Sequence, residues 1–195
     1  MGKREITLLG DQTRLEKEAP RIAFGIGLVR NALEETGYVT RWAKIPEHTW
    51  EYRLLPGEKI YVGIRKEEEL MTWLEEEEVL CFHRRQPEGE GFYLQRVPGK
   101  MLVVCGGSAS GALYGCLKLA AEKELPADLS FYDAPAFQLR GPCVGLQKTK
   151  LEPPRHTYEY PVTPDRFPWF YDKGMWQELL DRMLQERCNV LYIWS

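Results

Sequence analysis

No CxxC pair and no cysteine–histidine ligand spacing occurs among the five cysteines, Cys81, Cys105, Cys116, Cys143 and Cys188. Structural zinc and a disulfide framework are therefore not expected, and the thiols read as reduced side chains packed like small hydrophobes. The histidines, His48, His83 and His156, fall in no HExxH frame and have no partner four residues away, which removes the signature of a zinc hydrolase. No serine or cysteine stands in a GxSxG elbow, so a nucleophile–histidine triad has no support. Positive charge is in deficit: 26 Lys and Arg face 29 Asp and Glu, a net charge of −3, and no nucleic-acid partner is expected. No apolar run approaches the roughly 20 residues that cross a bilayer. The apolar stretch after Glu5 is too short for a signal-peptide core, and Ile6 stands where a myristoylation motif wants Ser or Thr. The expectation is a cytoplasmic protein with no membrane partner, no metal and no cofactor.

What is present is the pattern of a folded α/β chain. Hydrophobic residues make up 44% and charged residues 28%, enough to bury a core. A length of 195 residues allows one large domain, or a smaller one with part of a second. Residues 5–9 read as a strand. From Pro20 onward Ile22, Ile26, Val29 and Leu33 share one helical face, and Gly37 sits where a helix C-cap belongs. Residues 38–42 alternate as a second strand, Leu55 to Glu58 form a turn, and 59–64 make a third strand. Within 66–78, Leu70, Trp73 and Leu74 lie on one stripe amid glutamates, the mark of a solvated helix rather than a metal cluster. Two strands at 92–97 and 101–105 flank Pro98-Gly99, a hairpin signal. Residues 108–125 read as a helix with Leu113, Cys116, Leu117 and Ala120 inward. That yields roughly five strands and three helices, enough for a sheet layered with helices.

After Pro126 the texture changes. Residues 137–141 read as a short strand ending at Arg140 and Gly141. The stretch 148–173 then combines five prolines, Pro153, Pro154, Pro161, Pro164 and Pro168, with Tyr158, Tyr160, Phe167, Trp169, Phe170 and Tyr171. A loop this long is either functional or a linker, and so many aromatics speak for function. Met175, Trp176, Leu179, Leu180, Met183 and Leu184 recur at helical spacing before 189–195, which reads as a buried strand. A helix leading into an apolar strand is half of a β/α repeat, and such a strand wants neighbours on both sides. With none following, a hydrophobic sheet edge would stand uncovered. The expectation is the front part of something larger.

Two features carry candidate chemistry, each with a structural alternative. Gly106-Gly107-Ser108-Ala109-Ser110-Gly111 lies between a strand and a helix, where glycines cradle phosphates or let a helix start pack closely on a sheet. The spacing is neither a Walker loop nor GxGxxG. Arg140, expected at the C-terminal end of a strand, is placed to fork hydrogen bonds to vicinal hydroxyls or a carboxylate, or to pair structurally with a nearby acid.

Four ordered motifs resemble the region leading into the catalytic barrel of family 20 β-hexosaminidases and family 67 α-glucuronidases. Glu90-Gly91-Phe92-Tyr93-Leu94 is similar to their EGY-x-L strand entry, and Ser110 to Gly115 to their G-x-x-Y-G helix start. Asp133-Ala134-Pro135-Ala136-Phe137 with Arg140-Gly141 resembles D-x-P-x-F-x-x-R-G, and Asp181, Met183, Arg187 and Asn189 resemble the run from the first barrel helix into the second strand. The resemblance implies a zincin-like accessory domain that binds no metal at 1–132, followed by the start of a TIM barrel at 133–195. It assigns the glycines to helix–sheet packing and Arg140 to sugar hydroxyls. After Gly141 the chain departs from the hexosaminidase pattern, which favours an α-glucuronidase-like or an uncharacterised relative.

The fold class expected is α/β: an accessory sheet with helices packed on it, then an incomplete (β/α) barrel. The function expected is the N-terminal part of a glycoside hydrolase acting on oligosaccharides or polysaccharides, with its catalytic carboxylates beyond the chain. Arg140, Tyr158, Tyr160, Trp169 and Tyr171 are the candidate sugar contacts. Acids near the aromatic loop, Glu152, Glu159, Asp165 and Asp172, have no separation fixed by the sequence. The alternatives are a non-catalytic carbohydrate-binding or assembly module and a nucleotide-binding α/β protein.

Overall fold

The computed structural model describes residues 4–82, 85–122, 125–146, 162–165 and 167–194. The chain divides into two compact units, Met1–Pro135 and Ala136–Ser195.

The first unit is built on a six-stranded sheet. In chain order it runs β1 (Glu5–Leu9), α1 (Gln12–Glu18), α2 (Pro20–Glu35), β2 (Val39–Ala43), a 3-10 turn (Thr49–Leu54), β3 (Glu58–Ile64), α3 (Glu69–Glu76), β4 (Phe92–Val97), β5 (Met101–Gly106), α4 (Ala109–Ala120) and β6 (Ser130–Asp133). The strand order is β2-β1-β3-β5-β4-β6. The first four strands in that order are mutually parallel, while β4 runs antiparallel to both β5 and β6. All six residues of β5 are buried, as expected for a strand covered on both faces.

Alternation along the strands divides the core into two layers. Leu9, Tyr61, Tyr93, Val97, Met101, Val103 and Cys105 cluster with Tyr52 of the 3-10 turn and with Leu70, Met71 and Leu74 of α3. Val104 and Phe92 alternate with these and face α4, where a Cβ on Gly115 would meet both. On that face α2 packs beside α4. Each fully buried aliphatic side chain in these layers contributes about 2 kcal/mol.

Lys59 is a buried exception in β3. Its Nζ donates to the carbonyls of Leu55 and Gly57 at 2.7 and 2.8 Å, so the ammonium is satisfied by backbone, and burial lowers its pKa.

The second unit carries β7 (Cys143–Gly145), a 3-10 turn (Pro168–Tyr171), α5 (Lys173–Gln185) and β8 (Tyr192–Trp194). β7 and β8 pair in parallel, with Cys143 opposite Tyr192 and Gly145 opposite Trp194. Asp172 caps α5, its Oδ1 accepting from the amides of Gly174 and Met175 at 2.8 and 3.1 Å.

The strands at 5–9, 59–64, 92–97 and 101–105, and the helix beginning at Pro20, stand where the periodicity places them. Several expectations need correction. The helix expected over 108–125 ends at Ala120, and Leu117 and Ala120 are only half-buried, while Ala112, Tyr114 and Leu119 face the core. Residues 137–141 form no strand; the ladder starts at Cys143, because Pro142 has no N–H to give it. The terminal strand is three residues long, and Tyr192, Ile193 and Trp194 are exposed rather than buried, with β7 as their sheet neighbour. The solvent-facing helix α1 and strand β6 have no counterpart in the sequence reading. Asp133, placed by the motifs at the head of the second domain, pairs with Phe92 in the first sheet.

Candidate functional site

Arg140 lies before β7, not at the end of a strand. Its main chain is held by the segment leading into β8: the amide donates to Asn189 Oδ1 at 3.0 Å, and the carbonyl accepts from the amides of Asn189 and Val190 at 2.8 and 3.1 Å. The guanidinium turns to backbone as well, Nε donating to Arg187 O at 3.0 Å and Nη1 to Phe137 O at 2.6 Å. Neighbouring Gly141 is required by a close approach: a Cβ there would sit 1.6 Å from Val190 O. In β/α barrels ligand groups gather at the carboxyl ends of strands. Arg140 and Gly141 occupy the opposite end of this strand pair.

Trp169 and Tyr171 fall in the 3-10 turn before α5. Trp169 is half-buried, its ring edge-on to Phe170 at 5.9 Å and tilted against Trp176 at 6.1 Å. Trp176 Nε1 donates to Phe170 O at 2.7 Å, which closes the cluster. Tyr171 is 51% exposed, and its hydroxyl donates to Val162 O at 2.8 Å. The ring of Tyr171 is therefore open to a ligand, whereas that of Trp169 is largely taken up by its neighbours. Tyr158 and Tyr160, with Glu152, Glu159 and His156, lie outside the described residues. Asp172 is committed to its helix cap.

The glycine-rich loop serves packing. A Cβ on Gly107 would come within 2.4 to 2.6 Å of Glu88 backbone atoms, and one on Gly111 would lie 2.3 Å from Gly91 O. The Gly107 amide donates to Gly91 O, and the Gly111 amide donates to Ser108 Oγ. Two of the loop amides are thus used inside the chain.

A concavity that sequence reasoning missed lies in the first unit, at the carboxyl ends of β1 and β3. It encloses about 470 Å³ and is lined by Leu9, Gly10, Leu15, Ile45, Tyr61 and Val62, with charged side chains at its margins. The position follows from topology. From β1 the chain crosses to β2 on one side and then returns to β3 on the other, so the connections diverge here. Burial holds the carboxyl of Glu68 well above the usual range, at about 7, against the opposing hydrogen bond from the Ile64 amide.

Among the described residues no group of three or more His, Cys, Asp or Glu is placed to hold a metal. No helix among them is long and apolar enough to cross a membrane.

No protein-family model matches the chain, and no curated protein matches it. Solved structures do. A GH138 enzyme targeting pectin rhamnogalacturonan II is 30% identical with a TM-score of 0.63, over 99% of this chain and 19% of its own. A family GH115 4-O-methyl-α-glucuronidase with specificity for decorated arabinogalactans, BtGH115A, matches at 15% identity and TM-score 0.62, over 99% of this chain and 25% of that one. CpGH84D matches at 13% identity and TM-score 0.56, over 97% and 27%. The chain spans about a fifth to a quarter of the length of these structures. Its fold is glycoside-hydrolase-like, with the mixed α/β sheet and covering helices of an accessory domain.

Proposed function

We propose that this chain is the leading portion of a glycoside hydrolase that degrades plant cell-wall polysaccharide, with pectic oligosaccharides as its substrate class. The observation that carries this reading is the 30% identity over 99% of the chain to an enzyme targeting pectin rhamnogalacturonan II. The resemblance of its motifs to family 20 and family 67 enzymes, made on different grounds, supports the same broad chemistry. Within this reading, the first unit, Met1–Pro135, serves as scaffold and the second, Ala136–Ser195, opens a barrel. Tyr171 offers a sugar-facing ring, with Tyr158, Tyr160 and Trp169 as further contacts. Arg140 acts by positioning: its clasp on the carbonyls of Phe137 and Arg187 sets the start of β7 against that of β8. A pair of carboxylates supplied by later barrel strands would perform acid–base or nucleophilic cleavage.

The test is to incubate the purified 195-residue chain with pectic oligosaccharides and aryl glycosides. Expected are quenching of tryptophan fluorescence on oligosaccharide addition, attenuated by Tyr171→Ala, and no release of reducing sugar. Turnover by this chain would overturn the assignment of the catalytic carboxylates elsewhere, and absence of any oligosaccharide response would overturn the substrate class.

A further inference from the structure

The crevice between β1 and β3 has the makings of a site in its own right. Its walls are apolar, formed by Leu9, Leu15, Ile45 and Val62, and its volume of about 470 Å³ falls within the range of small-molecule sites. Tyr61 lines it at 2% exposure, and its buried hydroxyl makes no hydrogen bond of ordinary geometry, with the Met71 backbone as a weak polar neighbour. A buried hydroxyl left in this state costs stability unless something else satisfies it. The hydroxyl and the Glu68 carboxyl converge over Gly63, where an added Cβ would lie 3.2 Å from the one and 3.0 Å from Glu68 Oε2.

The margins indicate what kind of molecule fits. Asp11, Arg14 and Glu18 come from the α1 region, Lys44 from the end of β2, and Glu67 and Glu68 from the connection between β3 and α3. Arg14 is spent on Glu18, at 2.7 Å, and the Asp11 carboxylate caps α1 through the Arg14 amide. Four carboxyl groups against two cations disfavour an anion. A buried hydroxyl and a half-buried carboxyl in the lining, with Lys44 at the margin, disfavour a purely apolar ligand.

We propose that the crevice at the carboxyl ends of β1 and β3 is an accessory binding site for a small uncharged polyhydroxylated ring, a neutral pyranose, with Tyr61, Glu68 and Lys44 as its hydrogen-bonding groups. The apolar walls take the C–H surface of the ring, and the Tyr61 hydroxyl gains the partner it lacks. This site belongs wholly to the first unit and does not depend on the hydrolase reading.

The test is a titration of the 195-residue chain followed by amide chemical shifts, with methyl β-galactopyranoside and methyl α-rhamnopyranoside as neutral probes, glucuronate as the anion and glucosamine as the cation. Expected are saturable shifts at Gly10, Lys44 and Gly63 with the neutral glycosides, and weaker ones with glucuronate. Tyr61→Phe, which deletes only the unpartnered hydroxyl, should melt no lower than the parent and weaken neutral-sugar binding about fivefold, the value of one neutral hydrogen bond. Lys44→Ala, at an exposed position, should weaken it too. Absence of saturable shifts at these amides overturns the proposal. So does undiminished binding by both variants, or binding of glucosamine alone.

Discussion

Asn189 and Arg140, 49 residues apart, are joined by main chain and side chain at once: Asn189 Oδ1 accepts from the Arg140 amide, and the Arg140 carbonyl accepts from the Asn189 amide. Asn189 Nδ2 also donates to Gln138 O at 2.7 Å. The asparagine side chain thus pairs with the backbone as a strand would, ahead of the point where β7 and β8 begin. Asn189→Ala removes an acceptor and a donor together, and an expected loss of about 1 kcal/mol follows for this exposed site. Asn189→Asp, which keeps the acceptor, should fall between variant and parent. Thermal denaturation by circular dichroism checks both.

Gly141→Ala is expected to be more damaging than any cap or surface change in the second unit. The new methyl would have to occupy the position of Val190 O, and because the obstacle is backbone, no rotamer relieves it. A loss of about 3 kcal/mol or more is expected, read as a lowered Tm and a reduced near-ultraviolet tryptophan signal.

Two glycines of the first unit should respond in opposite directions to alanine. Gly107→Ala meets the Glu88 backbone at 2.4 Å and should destabilise by about 2 kcal/mol. Gly27, inside α2, has nothing within 4 Å of an added Cβ. Gly27→Ala should stabilise by up to about 1 kcal/mol through helix propensity. Urea titrations of the two variants side by side provide the check.

Glu68 makes stability fall with rising pH across a defined window. Its folded-state pKa, pushed up to about 7 chiefly by burial, exceeds that of the unfolded chain. Between the usual carboxylate range and about 7 the folded state therefore holds a proton that the unfolded state has lost, and stability declines as pH rises through that interval. Arg14 and the Ile64 amide oppose this shift, and Glu67 adds to it. Glu68→Gln should flatten the dependence of Tm on pH between about 5 and 7. An unchanged slope would show that the carboxyl is ionised throughout.

Much of the first sheet was legible because buried strands and amphipathic helices write their period into the chain. Ile22, Ile26, Val29 and Leu33 mark α2, and Pro98-Gly99 marks the turn between β4 and β5. Helix α1 escaped because it buries no residue and so has no apolar stripe; the Asp11 cap, accepting from the Arg14 amide, was its one readable signal. The error at 137–141 has a different source. Apolar Phe137 and Leu139 alternate like strand residues, yet both are exposed, and the segment is fixed by Asn189 and Arg187 from far along the chain. The crevice was invisible for the same reason. Tyr61 reads as an ordinary strand residue and Glu68 as part of a solvated glutamate run, and only the divergence of connections around β1 sets them beside Leu9, Leu15 and Ile45.

The ammonium of Lys59, enclosed and tied to the carbonyls of Leu55 and Gly57, gives the central sheet a built-in timer. An amine-acylating reagent reaches exposed lysines directly, but it can reach this one only when the ammonium leaves the carbonyls of Leu55 and Gly57. The rate at which Lys59 becomes modified therefore reports how often the Leu55–Gly57 turn and the start of β3 open together.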